Sequence, residues 1–220
     1  MTIELPNNIF LTIPNASGRF TPHIETIHQQ TARAVELARV KLPLVDIDII
    51  FLNNSAEAIP HLGFGGYTPD AHTVLISVDI DHMDLAANLQ THLVHTLLHE
   101  FHHAMRWRGP GYGDTLGEAL VTEGLADQFD VEMTGAEPQA WATVLSPDEL
   151  EKLFERAQPL FEKSYSHADW FFGSADEVLP KWGGYALGFY LVGRYLAAHP
   201  DARASALCAM PAGEILRCSQ

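Results

Sequence analysis

The residues with the clearest chemical potential lie in one run, His99-Glu100-Phe101-His102-His103. Four residues advance a helix by about 6 Å and about 40° of rotation, so His99 and His103 project from one face about a turn apart. Two imidazoles placed in this way can occupy two corners of a tetrahedral zinc site. Glu100 lies on the flank of that face, where its carboxylate can act as a general base on a water molecule at the metal. The spacing predicts two zinc ligands and a base.

A catalytic zinc ion needs a third protein ligand, and the following segment offers acidic candidates. One common zinc pattern has its third ligand, a histidine, six residues after the second histidine. That position is Gly109 in this chain, so the pattern does not apply. Glu118 and Glu123 are five residues apart, about 140° around a helix, so they cannot both face one ion. Glu118 is explained as the third residue of a capping box that begins at Thr115. The sequence therefore predicts Glu123 as the third ligand of a single zinc ion.

Two further residues lie one helical turn from the predicted ligands. Asp127 follows Glu123 by four residues, and its carboxylate could accept a hydrogen bond from the non-ligating nitrogen of one histidine. The alternative for Asp127 is a solvated acid on the protein surface. His95 precedes His99 by four residues and is interpreted as a buried or outer-sphere histidine rather than a ligand. If His95 bound a metal, a site with two ions would become possible.

The combined pattern resembles a known group of enzymes. An HExxH run followed after nineteen residues by Glu, with Asp four residues further on, is similar to the gluzincin branch of the zincin metallopeptidases. The runs 96–103 and 122–129 resemble more specifically a bacterial family of predicted zinc-dependent proteases, long catalogued as a domain of unknown function. The segments 65–69 and 182–188 are also similar to that family, so the resemblance spans roughly residues 60 to 195. It implies a zincin-like fold with a small N-terminal sheet, an active-site helix and a mainly helical C-terminal subdomain, with a cleft between them.

The resemblance also implies a Tyr or His that donates a hydrogen bond to the oxyanion of the transition state. Three residues are candidates for this role. Tyr185 is the first choice, because the small residues of the run 183–188 would let its backbone come near the cleft. The alternative for Tyr185 is an aromatic side chain packed in the core. His167 is the second candidate and Tyr112, in a glycine-rich loop, is the third.

The elements that must position these residues begin with strands and one helix. Pro22 favours a helix that begins at Thr21. Alternating apolar residues over 45–51 predict a strand with one fully buried face, and a second strand is predicted over 73–79. The glycine-rich stretch 63–70 is predicted to form a turn or a place where another backbone approaches closely. By resemblance, the strand 73–79 is expected to be the edge strand to which an extended peptide could add.

The later part of the chain is predicted to be helical. A long helix over 81–108 contains the HExxH run and ends at the glycines of 109–113. Thr115 and Ser146 begin capping boxes that open two more helices, and a last major helix covers 184–198. Strands early and helices late indicate an α+β fold. We expect one zincin-like domain over 1–220, with an α/β subdomain over about 1–111 and a helical one over about 112–220.

Composition excludes several classes of function. The chain has 28 acidic and 13 basic side chains, a formal charge of −15, which opposes binding to nucleic acid or to an anionic membrane surface. Residues 1–20 lack the pattern of a secretory signal, and no apolar run approaches the roughly 20 residues that span a bilayer. Cys208 and Cys218 are therefore expected to be reduced, and a cytoplasmic location is the default expectation.

The sequence thus predicts a zinc metallopeptidase that acts on peptide or protein substrates. One alternative is a non-catalytic, zinc-stabilised binding module, although such a module would have no need of Glu100. A second alternative is a zinc hydrolase of an amide bond in a small molecule. The pattern predicts neither the substrate, nor the choice between endopeptidase and exopeptidase, nor the oligomeric state.

Overall fold

A computed structural model describes residues 1–218, and within them the chain forms five strands and seven α-helices. The strands are β1 (Thr2–Leu5), β2 (Ile9–Thr12), β3 (Ile47–Asn53), β4 (Phe64–Tyr67) and β5 (Thr73–Val78). The helices are α1 (Ile24–Ala38), α2 (Leu85–Trp107), α3 (Leu116–Thr134), α4 (Pro147–Ala157), α5 (His167–Phe172), α6 (Gly183–Ala198) and α7 (Ala212–Arg217). A small mixed sheet followed by a mostly helical remainder confirms the predicted α+β class. The chain divides into two compact units, Met1–Met105 and the remainder from Arg106.

The sheet of the first unit has the strand order β1-β2-β3-β5-β4. The three inner strands are parallel to one another, whereas β1 and β4 pair antiparallel at the two edges. Ile47, Ile49 and Phe51 of β3 are buried and alternate with more exposed residues, as expected for a strand with one buried face. The strands predicted over 45–51 and 73–79 are therefore confirmed, with bounds that differ by one or two residues.

The prediction that the strand at 73–79 forms the edge of the sheet is wrong. β5 lies between β3 and β4, and β4 occupies the edge. β4 comes from the stretch 63–70, for which we predicted a turn or a close backbone approach. Gly63 does adopt a left-handed φ of 75°, and a β-carbon on Gly65 would lie 2.9 Å from the backbone oxygen of Glu57. The strand itself was missed because glycines weaken the alternating pattern that predicts strands.

The helices of the first unit begin slightly later than predicted. A short 3-10 turn over Thr21–His23 contains Pro22 and leads into α1. Helix α2 begins at Leu85 rather than near 81. The side chain of Asn88, in the first turn of α2, donates to the backbone oxygens of His61 (3.2 Å) and Leu62 (3.0 Å). These bonds attach the start of α2 to the segment that precedes β4.

In the second unit, α3 begins with the predicted capping box. The Thr115 hydroxyl accepts from the backbone N–H of Glu118, and Oε2 of Glu118 accepts from the backbone N–H of Thr115. Hydrogen bonds of this kind satisfy N–H groups that the first helical turn leaves unpaired. A second capping box, formed by Ser146 and Glu149, opens α4 as predicted. Glu118 is thus fully explained as a capping residue.

Helices α3 and α6 approach each other closely enough for their backbones to touch. A β-carbon on Gly124 of α3 would overlap the backbone oxygen of Gly188 in α6. A β-carbon on Gly188 would in turn overlap the backbone oxygen of Leu120. The paired glycines therefore let α6 lie directly against the stretch of α3 that contains Glu123.

None of the helices in the described part of the chain combines the length and the apolar character needed to cross a bilayer. Cys208 is half-buried and Cys218 is exposed, each with a free thiol. Burial raises the pKa of the Cys208 thiol to about 12, which leaves it protonated and unreactive at neutral pH.

Candidate metal centre

The two motif histidines lie on one face of α2 and point at the same place. Their Nε2 atoms are 2.9 Å apart, and the two rings are nearly perpendicular. Two nitrogens bound to one tetrahedral zinc ion at about 2.0–2.1 Å lie about 3.3 Å from each other. His99 is half-buried and His103 is buried, so the pair lies at the margin of the protein interior rather than in open solvent. This arrangement suits two ligands of one cation.

Glu123 is the third member of the group. It lies in the middle of α3 with only 4% of its surface exposed. One possible ligand atom from each of His99, His103 and Glu123 lies within 4.8 Å of the other two. A buried carboxylate is costly unless it is paired or coordinates a metal, and two imidazoles with one carboxylate form a known donor set for zinc. The group could therefore bind a metal ion, and His95 is not part of it.

Asp127 lies one turn after Glu123 and is also buried, so it is not the solvated surface acid considered as its alternative. One of its oxygens, Oδ1, accepts a hydrogen bond of 3.1 Å from the indole nitrogen of Trp141. A buried carboxylate one turn from a candidate ligand suits the predicted outer-sphere role. That role for Asp127 stays a prediction.

Glu100 lies on α2 beside His99, with 5% of its surface exposed. The hydroxyl of Thr68, which is also buried, lies 2.7 Å from its Oε2 and donates a hydrogen bond to it. Within residues 1–218 no hydrogen bond reaches the other oxygen, Oε1. One oxygen of the carboxylate is thus fixed while the other stays available to a ligand.

Gly66 of β4 provides the space that the Glu100 side chain occupies. A β-carbon at this position would overlap Oε1 of Glu100 and would lie 2.6 Å from its Cγ and 2.7 Å from its Cδ. Such separations are far below van der Waals contact, so a larger residue at position 66 would displace the Glu100 side chain from this position. Neither Gly66 nor Thr68 was predicted as a neighbour of Glu100. The run Gly65-Gly66-Tyr67-Thr68-Pro69 was identified only as a segment similar to the family.

The three candidates for an oxyanion donor belong to one aromatic cluster in the second unit. Tyr185 packs edge-on against Phe171 with ring centres 4.9 Å apart, and His167 stacks on the same ring at 4.5 Å. Tyr112 and a further residue, Tyr165, each lie 6.2 Å from His167. Burial and the charge of Glu123 raise the pKa of Tyr165 to about 12. Tyr165 was not among the predicted site residues.

Tyr112 makes a polar contact with Glu123. Its hydroxyl donates a hydrogen bond of 2.6 Å to Oε1 of Glu123. Burial raises the pKa of Tyr112 well above its ordinary value, and the charge and hydrogen bond of Glu123 raise it further. The hydroxyl therefore keeps its proton and acts as a donor. The sequence signal for this position is a tyrosine between two glycines, Gly111 and Gly113.

A family model matches most of the chain. No curated protein and no solved structure matches the chain. A family model with the description "Predicted Zn-dependent protease (DUF2268)" matches residues 24–217, which is far more than half of the sequence. This match agrees with the resemblance noted from the motifs. The chain therefore belongs to the family described as predicted zinc-dependent proteases.

Proposed function

We propose that the protein is a metallopeptidase of the gluzincin type, which hydrolyses peptide bonds with one zinc ion held by His99, His103 and Glu123. The proposal rests on one observation, the mutual proximity of these three donors, with the buried carboxylate of Glu100 beside the first of them. The family description, which names a zinc-dependent protease, supports the same conclusion. A bound zinc ion supplies a Lewis acid that polarises the substrate carbonyl and makes a water molecule acidic.

In this proposal Glu100 acts as general base and then as general acid. Its free oxygen, Oε1, takes a proton from the water that attacks the carbonyl carbon, while Thr68 keeps Oε2 in place. As the C–N bond breaks, the same carboxyl group transfers the proton to the leaving amine. A new C–O bond replaces the C–N bond, and no protein side chain becomes covalently modified. Neither cysteine has a role in this chemistry.

Strand β4 supports an extended peptide as the substrate. Phe64 turns its backbone oxygen away from β5, because this oxygen accepts from the backbone N–H of Ile59 (3.3 Å). Hydrogen-bonding groups alternate along an antiparallel strand, so the N–H and C=O of Gly66 also face the open edge. Gly66 is the residue that contacts Glu100. A peptide that adds to this edge would therefore pass close to the proposed base.

Tyr185 remains our choice for the oxyanion donor. The hydroxyl of Tyr112 is already used by Glu123, and His167 is exposed and stacked on Phe171. Tyr185 is half-buried in the same cluster, at the start of α6. For Asp127 we retain the proposed outer-sphere role beside the ligands.

Zinc content and peptide cleavage test the proposed function together. The purified protein is expected to contain about one zinc ion per chain and to cleave members of a quenched-fluorescent peptide library. A chelator should abolish this cleavage and added zinc should restore it. Zinc without any peptide cleavage would favour the binding module or a small-molecule amide as substrate. Absence of tightly bound zinc would contradict the proposal altogether.

The contact between Thr68 and Glu100 gives a second test. Thr68→Val keeps the shape of the side chain but removes the hydroxyl. We expect kcat to fall about 10- to 100-fold with little change in KM, since a hydrogen bond to a charged group contributes roughly 1.5–3 kcal/mol. Thr68→Ser retains the donor and is expected to stay within about threefold of the wild type. Steady-state kinetics on the best library peptide measure both variants. Equal losses in the two variants would mean that packing, not the hydroxyl, matters at this position.

A further inference from the structure

We propose that Tyr112 is a positioning residue of the metal centre, which holds the Glu123 carboxylate ready for the cation. The inference rests on the proposed function, since it concerns one of the proposed zinc ligands. The hydroxyl of Tyr112 donates to Oε1 of Glu123 over 2.6 Å, a short distance that is typical of a bond to an ionised acceptor. This role differs from that of an oxyanion donor, for which Tyr112 was the third candidate.

The backbone of Tyr112 is fixed to α3 at the residue next to Glu123. The hydroxyl of Thr122 donates to the backbone oxygen of Tyr112 over 3.0 Å, and Nε of Arg106 donates to the same hydroxyl over 2.8 Å. Arg106 is 1% exposed, and its NH1 group also donates to the backbone oxygens of Cys208 and Met210. A buried chain of hydrogen bonds thus ties the loop of Tyr112 to the helix that contains Glu123.

The loop itself has a conformation that two glycines make possible. Gly111 and Gly113, on either side of Tyr112, have φ angles of 79° and 94°, in the left-handed region that disfavours other residues. A β-carbon on Gly113 would also overlap Cβ of Glu118. From the sequence alone these glycines are expected only to end a helix. In the structure they also direct the tyrosine ring toward Glu123.

A carboxylate that is already held in place before the metal ion arrives increases the affinity for that ion. A free glutamate side chain loses rotamer freedom when it coordinates a metal, and this loss weakens the affinity. The hydrogen bond from Tyr112 restricts the carboxylate during folding, so less freedom remains to be lost. Removal of comparable outer-sphere partners in metalloproteins weakens metal binding about 10- to 100-fold.

The test compares zinc affinity in two tyrosine-to-phenylalanine variants. Tyr112→Phe is expected to weaken zinc binding about 10- to 100-fold in a competition titration against a chromophoric chelator. Tyr190→Phe is the matched control, because its hydroxyl also donates to a carboxylate, Oε1 of Glu151, over 2.7 Å, but on the exposed surface. We expect this control to bind zinc with the wild-type affinity. Circular dichroism of the zinc-free proteins checks that both variants are folded.

A second background separates positioning from general damage to the fold. In Glu123→Asp the carboxylate is one methylene shorter and moves out of reach of the Tyr112 hydroxyl, so adding Tyr112→Phe should change zinc affinity by less than about twofold. An unchanged 10- to 100-fold loss in that background would overturn the inference. So would a Tyr112→Phe protein that binds zinc normally and loses only kcat, since it would identify Tyr112 as the oxyanion donor. A wild-type protein without zinc affinity would contradict both the proposed function and this inference.

Discussion

Glu100→Gln is expected to lower kcat for peptide hydrolysis about a thousandfold, or ~4 kcal/mol, while zinc affinity stays within about threefold of the wild type. The amide has nearly the same size as the carboxylate, so it fits beside Gly66, and its oxygen can still accept from Thr68. A neutral amide cannot take a proton from the attacking water, however. The chemical step should therefore be lost while the metal centre is retained.

Steady-state kinetics on a cleaved library peptide and a zinc competition titration measure the two quantities. Glu155→Gln is a suitable control, because Glu155 is an exposed residue of α4 and the same change of charge there should leave both quantities unaltered. If Glu100→Gln cleaved the peptide at the wild-type rate, the base would have to be another residue. If it lost zinc as well as activity, Glu100 would have a structural role in the metal centre.

The residues of the candidate metal centre could be predicted because their geometry is local. His99 and His103 are separated by one helical turn. The third ligand could be chosen between Glu118 and Glu123 because Glu118 belongs to a capping box that spans only four residues. Their partners could not be predicted in the same way. Thr68 reaches Glu100 across 32 residues, and Tyr112 reaches Glu123 from a loop that no periodic pattern describes. Such contacts depend on how elements pack.

In the fold, too, local features were predicted and features that depend on packing were not. Helix bounds were predicted well where a capping box or a glycine marks an end, as in α3 and α4. The strands β1 and β2 were missed, since four residues each are too short for a clear alternation. The edge position expected for the strand at 73–79 was wrong, because side-chain alternation records which face is buried but contains no information about which strand lies on each side. The predicted division into subdomains stays a prediction.

The second prediction with a large effect concerns protein stability and the close contact between α3 and α6. Gly124→Ala is expected to destabilise the protein by roughly 3 kcal/mol, because the new methyl group overlaps the backbone oxygen of Gly188, which cannot move aside as a flexible side chain can. The higher helix propensity of alanine offsets only about 1 kcal/mol of the underlying strain. For a protein of this size the melting temperature should fall by roughly 10 °C. Because Glu123 is the adjacent residue, displacement of α3 should also weaken zinc binding.

Gly193→Ala provides the matched control for this prediction, since it makes the same change in α6, one of the same two helices. A β-carbon there would lie 3.1 Å from Nε2 of Gln128, the end of a flexible side chain that can shift by a few tenths of an ångström. Its stability is therefore expected within about 1 kcal/mol of the wild type. Thermal unfolding of the zinc-free proteins, followed by circular dichroism, separates the two outcomes. Equal stability of both variants would mean that α3 and α6 tolerate a wider separation, and that Glu123 does not depend on their close contact.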